Sequence, residues 1–215
     1  MDSMNKLMQL VTPPEEPQYT GDEKSRAEVN KKLGVNLPED YFELLKIYGA
    51  GQFCGWVNVF NPFIGADEPG WYLNLYDNIK DERRNYTYSQ KSYASIKAMF
   101  KNAPTVKYYE EKQFAESGAA GEGYPFDFYP KEGGLIPWGN CEEAAVLYWK
   151  MNEGKWSIVV YGEDEYYYEY DMTMTEFLYD LLSKQITNPL FEDIFSGGEL
   201  SSPSFVRLKD QEGIA

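Results

Sequence analysis

Between residues 133 and 184 the chain alternates apolar and polar positions in three short runs, each bounded by turn-forming residues. A period of two is the mark of half-buried strands, because successive side chains point to opposite faces of a sheet. Ala145, Leu147 and Trp149 alternate with Val146 and Tyr148, and Trp156, Ile158 and Val160 share one face of the next run. Asn152-Glu153-Gly154 is a hairpin signal, and Gly162-Glu163-Asp164 predicts a second turn. In the third run Tyr166, Tyr168 and Tyr170 fall on one face, predicted to be core. Glu165, Tyr167, Glu169 and Asp171 fall on the other, an acidic surface. Thr173 followed by Glu176 makes a capping box, in which hydroxyl and carboxylate satisfy each other's exposed N–H groups. Phe177, Leu178, Leu181, Leu182 and Ile186 then predict an amphipathic helix ended by Asn188-Pro189.

Upstream the period changes to that of helices. One helix is predicted from Asp22 to Leu33, stopped by Gly34. A second starts at Leu37-Pro38-Glu39-Asp40, carries the stripe Tyr41, Leu44, Leu45 and Tyr48, and stops at Gly49-Ala50-Gly51. Residues 56–60 read as a strand closed by Asn61-Pro62. The middle region is expected to hold helices at 71–79 and 89–101, a weak strand at 105–109 and a loop at 117–123. Prolines 13, 14 and 17 make residues 1–21 an expected extended arm. Residues 187–215 are expected to be a loosely attached tail with a short helix near 191–195. The domain itself is expected over 22–186, with a variable helical middle at 64–130. Helices, then antiparallel strands, then a helix give an α+β fold.

Charge and composition narrow the chemistry. The 215 residues include 35 acidic and 20 basic side chains, a net charge of −15 that opposes approach to nucleic acid and to anionic membrane. A partner that is itself basic would be attracted. The chain has no histidine, which removes Ser-His-Asp and Cys-His nucleophile systems and histidine-ligated metals. Two cysteines, Cys54 and Cys141, without a CxxC pair fit a reducing compartment, and no apolar run suits a signal peptide or a membrane span. The expectation is a cytoplasmic protein without cofactor or metal.

A set of short motifs stands in order along the chain: Thr12-Pro13-Pro14 with Pro17 and Gly21, Leu33-Gly34, Leu37-Pro38-Glu39-Asp40-Tyr41 and Tyr48-Gly49-Ala50-Gly51. It continues in Asn61-Pro62-Phe63, Gly133-Gly134-Leu135-Ile136-Pro137-Trp138-Gly139, Trp149, Trp156 and the 172–178 segment. Taken together, these motifs resemble the SUKH superfamily, in particular its bacterial immunity-protein branch. One departure is Ala144-Ala145, where members often carry a Gly-Asp-like pair. The resemblance implies a mixed or antiparallel sheet packed with N-terminal and C-terminal helices. It also implies that the protein binds and neutralises a cognate polymorphic toxin, frequently a nuclease, without catalysis. A fungal relative of the family acts in regulating cell-wall synthesis, so a regulatory interaction module without a toxin partner is the alternative.

From Trp156 to Leu182 there are seven acidic side chains and no basic one. A nuclease holds phosphates with Lys and Arg, so such a surface can occupy its cleft, with tyrosines as anchors. Glu163, Asp164, Glu165, Tyr167 and Glu169 are therefore the candidate partner-binding residues; a solubilising face is the competing explanation. Lys80 to Lys112 forms a basic stretch that balances this face or is simply solvated, the other readings being contact with an acidic partner or with nucleic acid. Asp67-Glu68 and Glu142-Glu143 lack metal-ligand spacing. A carboxylate-dependent hydrolase would need two carboxyls across one cleft at ~5–9.5 Å.

Overall fold

The computed structural model describes residues 2–100, 119–122, 125–142, 144–162, 166–186, 188–191 and 202–208. The expected alternation yields strands β4 (Ile136–Cys141), β5 (Ala145–Asn152), β6 (Lys155–Gly162) and β7 (Tyr166–Tyr170). Earlier strands are β1 (Gly51–Phe53), β2 (Val57–Val59) and β3 (Gly121–Glu122), and a last one is β8 (Phe205–Arg207). They form one eight-stranded sheet in the order β3-β7-β6-β5-β4-β2-β1-β8, with every ladder antiparallel. The β5–β6 turn puts Glu153 at φ 50° and Gly154 at φ 82°. Two successive positive φ values are what a tight, right-twisted hairpin needs.

Helices α1 (Ser3–Leu10), α2 (Glu23–Leu33), α3 (Glu39–Tyr48), α4 (Leu75–Phe100) and α5 (Met174–Leu182) complete the described elements, with 3-10 turns at Trp71–Leu73 and Pro189–Phe191. The Thr173–Glu176 capping box forms as expected. Asp40 of α3 adds a second cap, its carboxylate accepting from the Thr175 N–H at 2.9 Å and from its hydroxyl at 3.2 Å. Leu37-Pro38-Glu39-Asp40 thus starts one helix and fastens the start of another.

The two faces of the sheet are covered differently. On one, Trp149 meets the edge of Tyr41 at 4.7 Å and lies 6.2 Å from Trp138, which meets the edge of Phe177 at 6.0 Å. This aromatic layer joins the sheet to α3 and α5. A register shift between Pro137 and Gly139 accompanies the placement of Trp138 against Trp149. Tyr166 and Tyr168 are buried on this same face, in line with the alternation. On the opposite face, Tyr148 donates to Glu82 of α4 at 2.6 Å, and Tyr86 of α4 donates to the Phe126 carbonyl at 2.8 Å. Helix α4 and the 125–129 segment therefore lie over the face expected to be open and acidic.

Several local expectations are corrected. The arm 1–21 opens with α1, capped by Asp2 and buried through Met4 and Leu7, and packs on α5; the prolines follow the helix rather than prevent it. The two helices expected at 71–79 and 89–101 are a 3-10 turn and one continuous helix, because 75–100 contains neither Gly nor Pro. Helix α5 ends before Asn188: Lys184 takes φ 61°, its N–H bonds the Leu181 carbonyl, and the Gln185 N–H bonds that of Asp180. The 187–215 segment, expected as a loose tail, supplies β8 against β1 and the buried Leu208. Its apolar alternation is too short to read as a strand without its partner. The strand expected at 105–109 lies outside the described residues.

Candidate interaction surfaces

Of the five residues expected to bind a partner, Glu163, Asp164 and Glu165 lie outside the described residues. The other two share the α4-covered face of β7. Tyr167 is half-buried, its ring 4.8 Å from Phe126 in an edge contact. Burial pushes its phenol pKa up, with the Glu169 charge adding to the rise. Glu169 pairs with Lys150 at 2.7 Å, and Lys150 also sits 4.7 Å above the Phe126 ring. Two further acids of this unit are engaged: Asp171 with Lys155 at 2.6 Å and Glu176 in its capping box. The cations come from β5 and β6, across the sheet, which a linear count of charge does not register.

A second surface is not evident from the sequence as a unit. Trp71, Tyr72 and Tyr88 are the exposed large hydrophobic side chains of the described residues, at 61%, 43% and 74% exposure. All belong to the 3-10 turn and α4. Tyr88 lies with Lys80, Arg83, Arg84, Thr87 and Lys91 along an open groove. Their spacing of three and four puts them on one helix face over about 16 Å. Lys80 and Arg84 form exposed pairs with Asp77 and Asp81 at 2.6 and 3.2 Å, contacts that stabilise little. Arg83 is fixed by donating to the Tyr129 carbonyl at 2.7 Å.

Asn74, just before α4, aims this surface. Its side-chain oxygen accepts from the N–H groups of Tyr76 and Asp77, and its amide donates to the Ile64 carbonyl. The buried Asn61 ties the same loop to the Tyr19 carbonyl. In the sequence Asn61 reads as part of the strand-ending Asn61-Pro62-Phe63; its bond to the Tyr19 carbonyl, 42 residues away, leaves no local signal.

A family model described as SUKH_6, SMI1-KNR4 cell-wall, matches residues 23–178, well over half of the chain. The chain belongs to that family. No curated protein and no solved structure matches it. The motifs that carry the resemblance have structural reasons in this SUKH domain. Gly139 faces the Asn58 carbonyl so closely that a β-carbon would overlap it, and Tyr41 donates to the buried Phe60 carbonyl at 2.7 Å. Among the described residues no group of three or more His, Cys, Asp or Glu could hold a metal, and no helix is long and apolar enough to cross a membrane.

The SUKH domain also carries a titratable group on the sheet-facing side of α4. Glu82 accepts from Tyr148 at 2.6 Å and from Asn85 at 3.3 Å. Burial raises its pKa; the two hydrogen bonds offset only part of that, and Asp81 adds to the rise. Because the folded pKa is raised, the folded state holds the proton longer than the unfolded chain. The stabilising contribution is complete below the unfolded pKa and is lost as pH rises through the folded one. Glu82→Gln keeps an acceptor for Tyr148 and removes this loss. The variant is expected to gain stability relative to the parent between acidic and neutral pH, measured as the difference in urea midpoints. A difference that does not change with pH contradicts the assignment.

Proposed function

We propose that this SUKH domain binds and neutralises a cognate toxin protein by surface complementarity, without chemically altering it. The observation that carries the proposal is the family match over residues 23–178. The net charge of −15 adds to it, since a strongly acidic protein is steered towards a basic cleft of the kind that handles nucleic acid. The contact is centred on the β6–β7 connection, Glu163, Asp164 and Glu165, with Tyr167 and Glu169 on the adjoining strand. Glu169 shares its carboxylate with Lys150, so it contributes both to the face and to the strand's hold on β5. The protein acts in the cytoplasm, where an incoming toxin would meet its substrate.

Co-expression tests this directly. Cells producing a toxin domain that the full chain binds are expected to grow when the chain is present and to arrest when it is absent. Arrest in the presence of both proteins, each shown to be folded, overturns the proposal. A role as a regulatory interaction module would leave growth arrest untouched.

A further inference from the structure

We infer that the exposed face of α4, with the Trp71–Tyr72 turn at its start, is a second docking surface, one that takes an acidic patch on another protein. It is independent of the acidic β6–β7 contact proposed above: it lies on other elements and carries the opposite charge. Two observations converge on it. All three exposed large aromatic side chains of the described residues fall within 71–88. The groove beside Tyr88 is lined by four cations, Lys80, Arg83, Arg84 and Lys91, together with Thr87. Single exposed aromatics are ordinary, but Trp, Tyr and Arg are the side chains that dominate protein interfaces, and here Trp71 and Tyr72 immediately precede the helix that carries Arg84 and Tyr88.

Charge decides the class of occupant. The cations call for carboxylates, and a planar guanidinium such as that of Arg84 binds one through two parallel hydrogen bonds. A nucleic-acid strand fits less well. Asp67 and Glu68 are exposed just before Trp71, and Asp77 and Asp81 are interleaved with the cations as ion pairs. The net charge of −15 opposes every acidic partner, and it opposes a phosphate strand, charged along its whole length, more than a compact acidic patch on a protein. A protein patch can place its carboxylates against Lys80 and Arg84 and its apolar atoms against Tyr88 and Trp71. Asp77 and Asp81 hold the two cations extended until they are exchanged for the partner's acids.

The test uses the full chain and a synthetic peptide of alternating glutamate and leucine, titrated by calorimetry at ~50 mM salt, where screening is weak. Binding is expected, reduced about tenfold or more by Lys80→Glu with Arg84→Glu and about fivefold by Tyr88→Ala. Lys155→Glu, on a cation paired away from the ridge with Asp171, should change it less than about twofold. All substituted positions are exposed, and unchanged thermal midpoints check that the variants are folded. No binding, or binding that the ridge variants leave intact, overturns the inference. So does tighter binding of a single-stranded oligonucleotide of equal charge, or sedimentation showing that a second copy of the chain covers the ridge. None of these outcomes bears on toxin rescue, and failed rescue would not remove peptide binding.

Discussion

Gly49→Ala is expected to cost about 4 kcal/mol, a large share of the stability of a domain this size. Gly49 closes α3 at φ 72°, ψ −149°, a conformation that L side chains avoid. A β-carbon there would also run into the backbone oxygen and nitrogen of Gln18. That close approach is held by the Ala50 N–H, which bonds the Gln18 carbonyl at 2.9 Å, so the N-terminal segment has no room to withdraw. Gly34 is the control. It has φ 67° at the end of α2, and a β-carbon there would meet nothing within 4 Å, so Gly34→Ala should cost only about 1 kcal/mol. Urea midpoints of the two variants read the comparison. Gly34 has the milder left-handed helical ψ of 19°, so equal losses would mean that neither the ψ of −149° nor the approach of Gln18 adds to the cost of a positive φ at position 49.

Trp149→Ala is the other large effect, with an expected loss of about 3–5 kcal/mol. Trp149 is fully buried at the centre of β5 and touches Tyr41 from α3, Trp138 from β4 and Trp156 from β6. Through Trp138 the contact extends to Phe177 of α5. Removing the indole opens a cavity where three elements meet, and such a rigid aromatic cluster collapses poorly around it. Trp149→Phe, which keeps most of the ring contact, should lose roughly half as much. A Trp149→Ala loss under about 1 kcal/mol would contradict the view that this layer joins sheet to helices.

What can be read from the sequence is local in its causes. The capping box needs only Thr173 and Glu176, three residues apart, and the β5–β6 turn needs only Glu153 and Gly154. The stripe of α3 and the tyrosine alternation of β7 follow from one helix face and one strand face. What stays hidden depends on residues far apart in the chain. Phe53 and Phe205 make the β1–β8 ladder and meet at 4.9 Å across about 150 residues, so neither strand announces itself alone. Helix α1 owes its place to packing on α5, not to a strong local preference.

The candidate sites divide the same way. The acid-rich sequence around β7 is plain, but the pairing of Glu169 with Lys150 and of Asp171 with Lys155 depends on the strand order. The α4 ridge leaves a partial signal, since Lys80, Arg84, Tyr88 and Lys91 recur at helical spacing. What hides it is the expectation of two helices broken between 79 and 89, which scatters those residues over unrelated faces.

Our proposal that this SUKH domain neutralises a toxin by binding it meets its sharpest check in a calorimetric titration of the full chain with a candidate toxin domain. A one-to-one complex is expected, weakened at least about tenfold when Glu163, Asp164 and Glu165 are all changed to lysine. Binding is also expected to weaken as salt is raised. No complex with a folded toxin domain, or a complex indifferent both to the charge reversal and to salt, would contradict it.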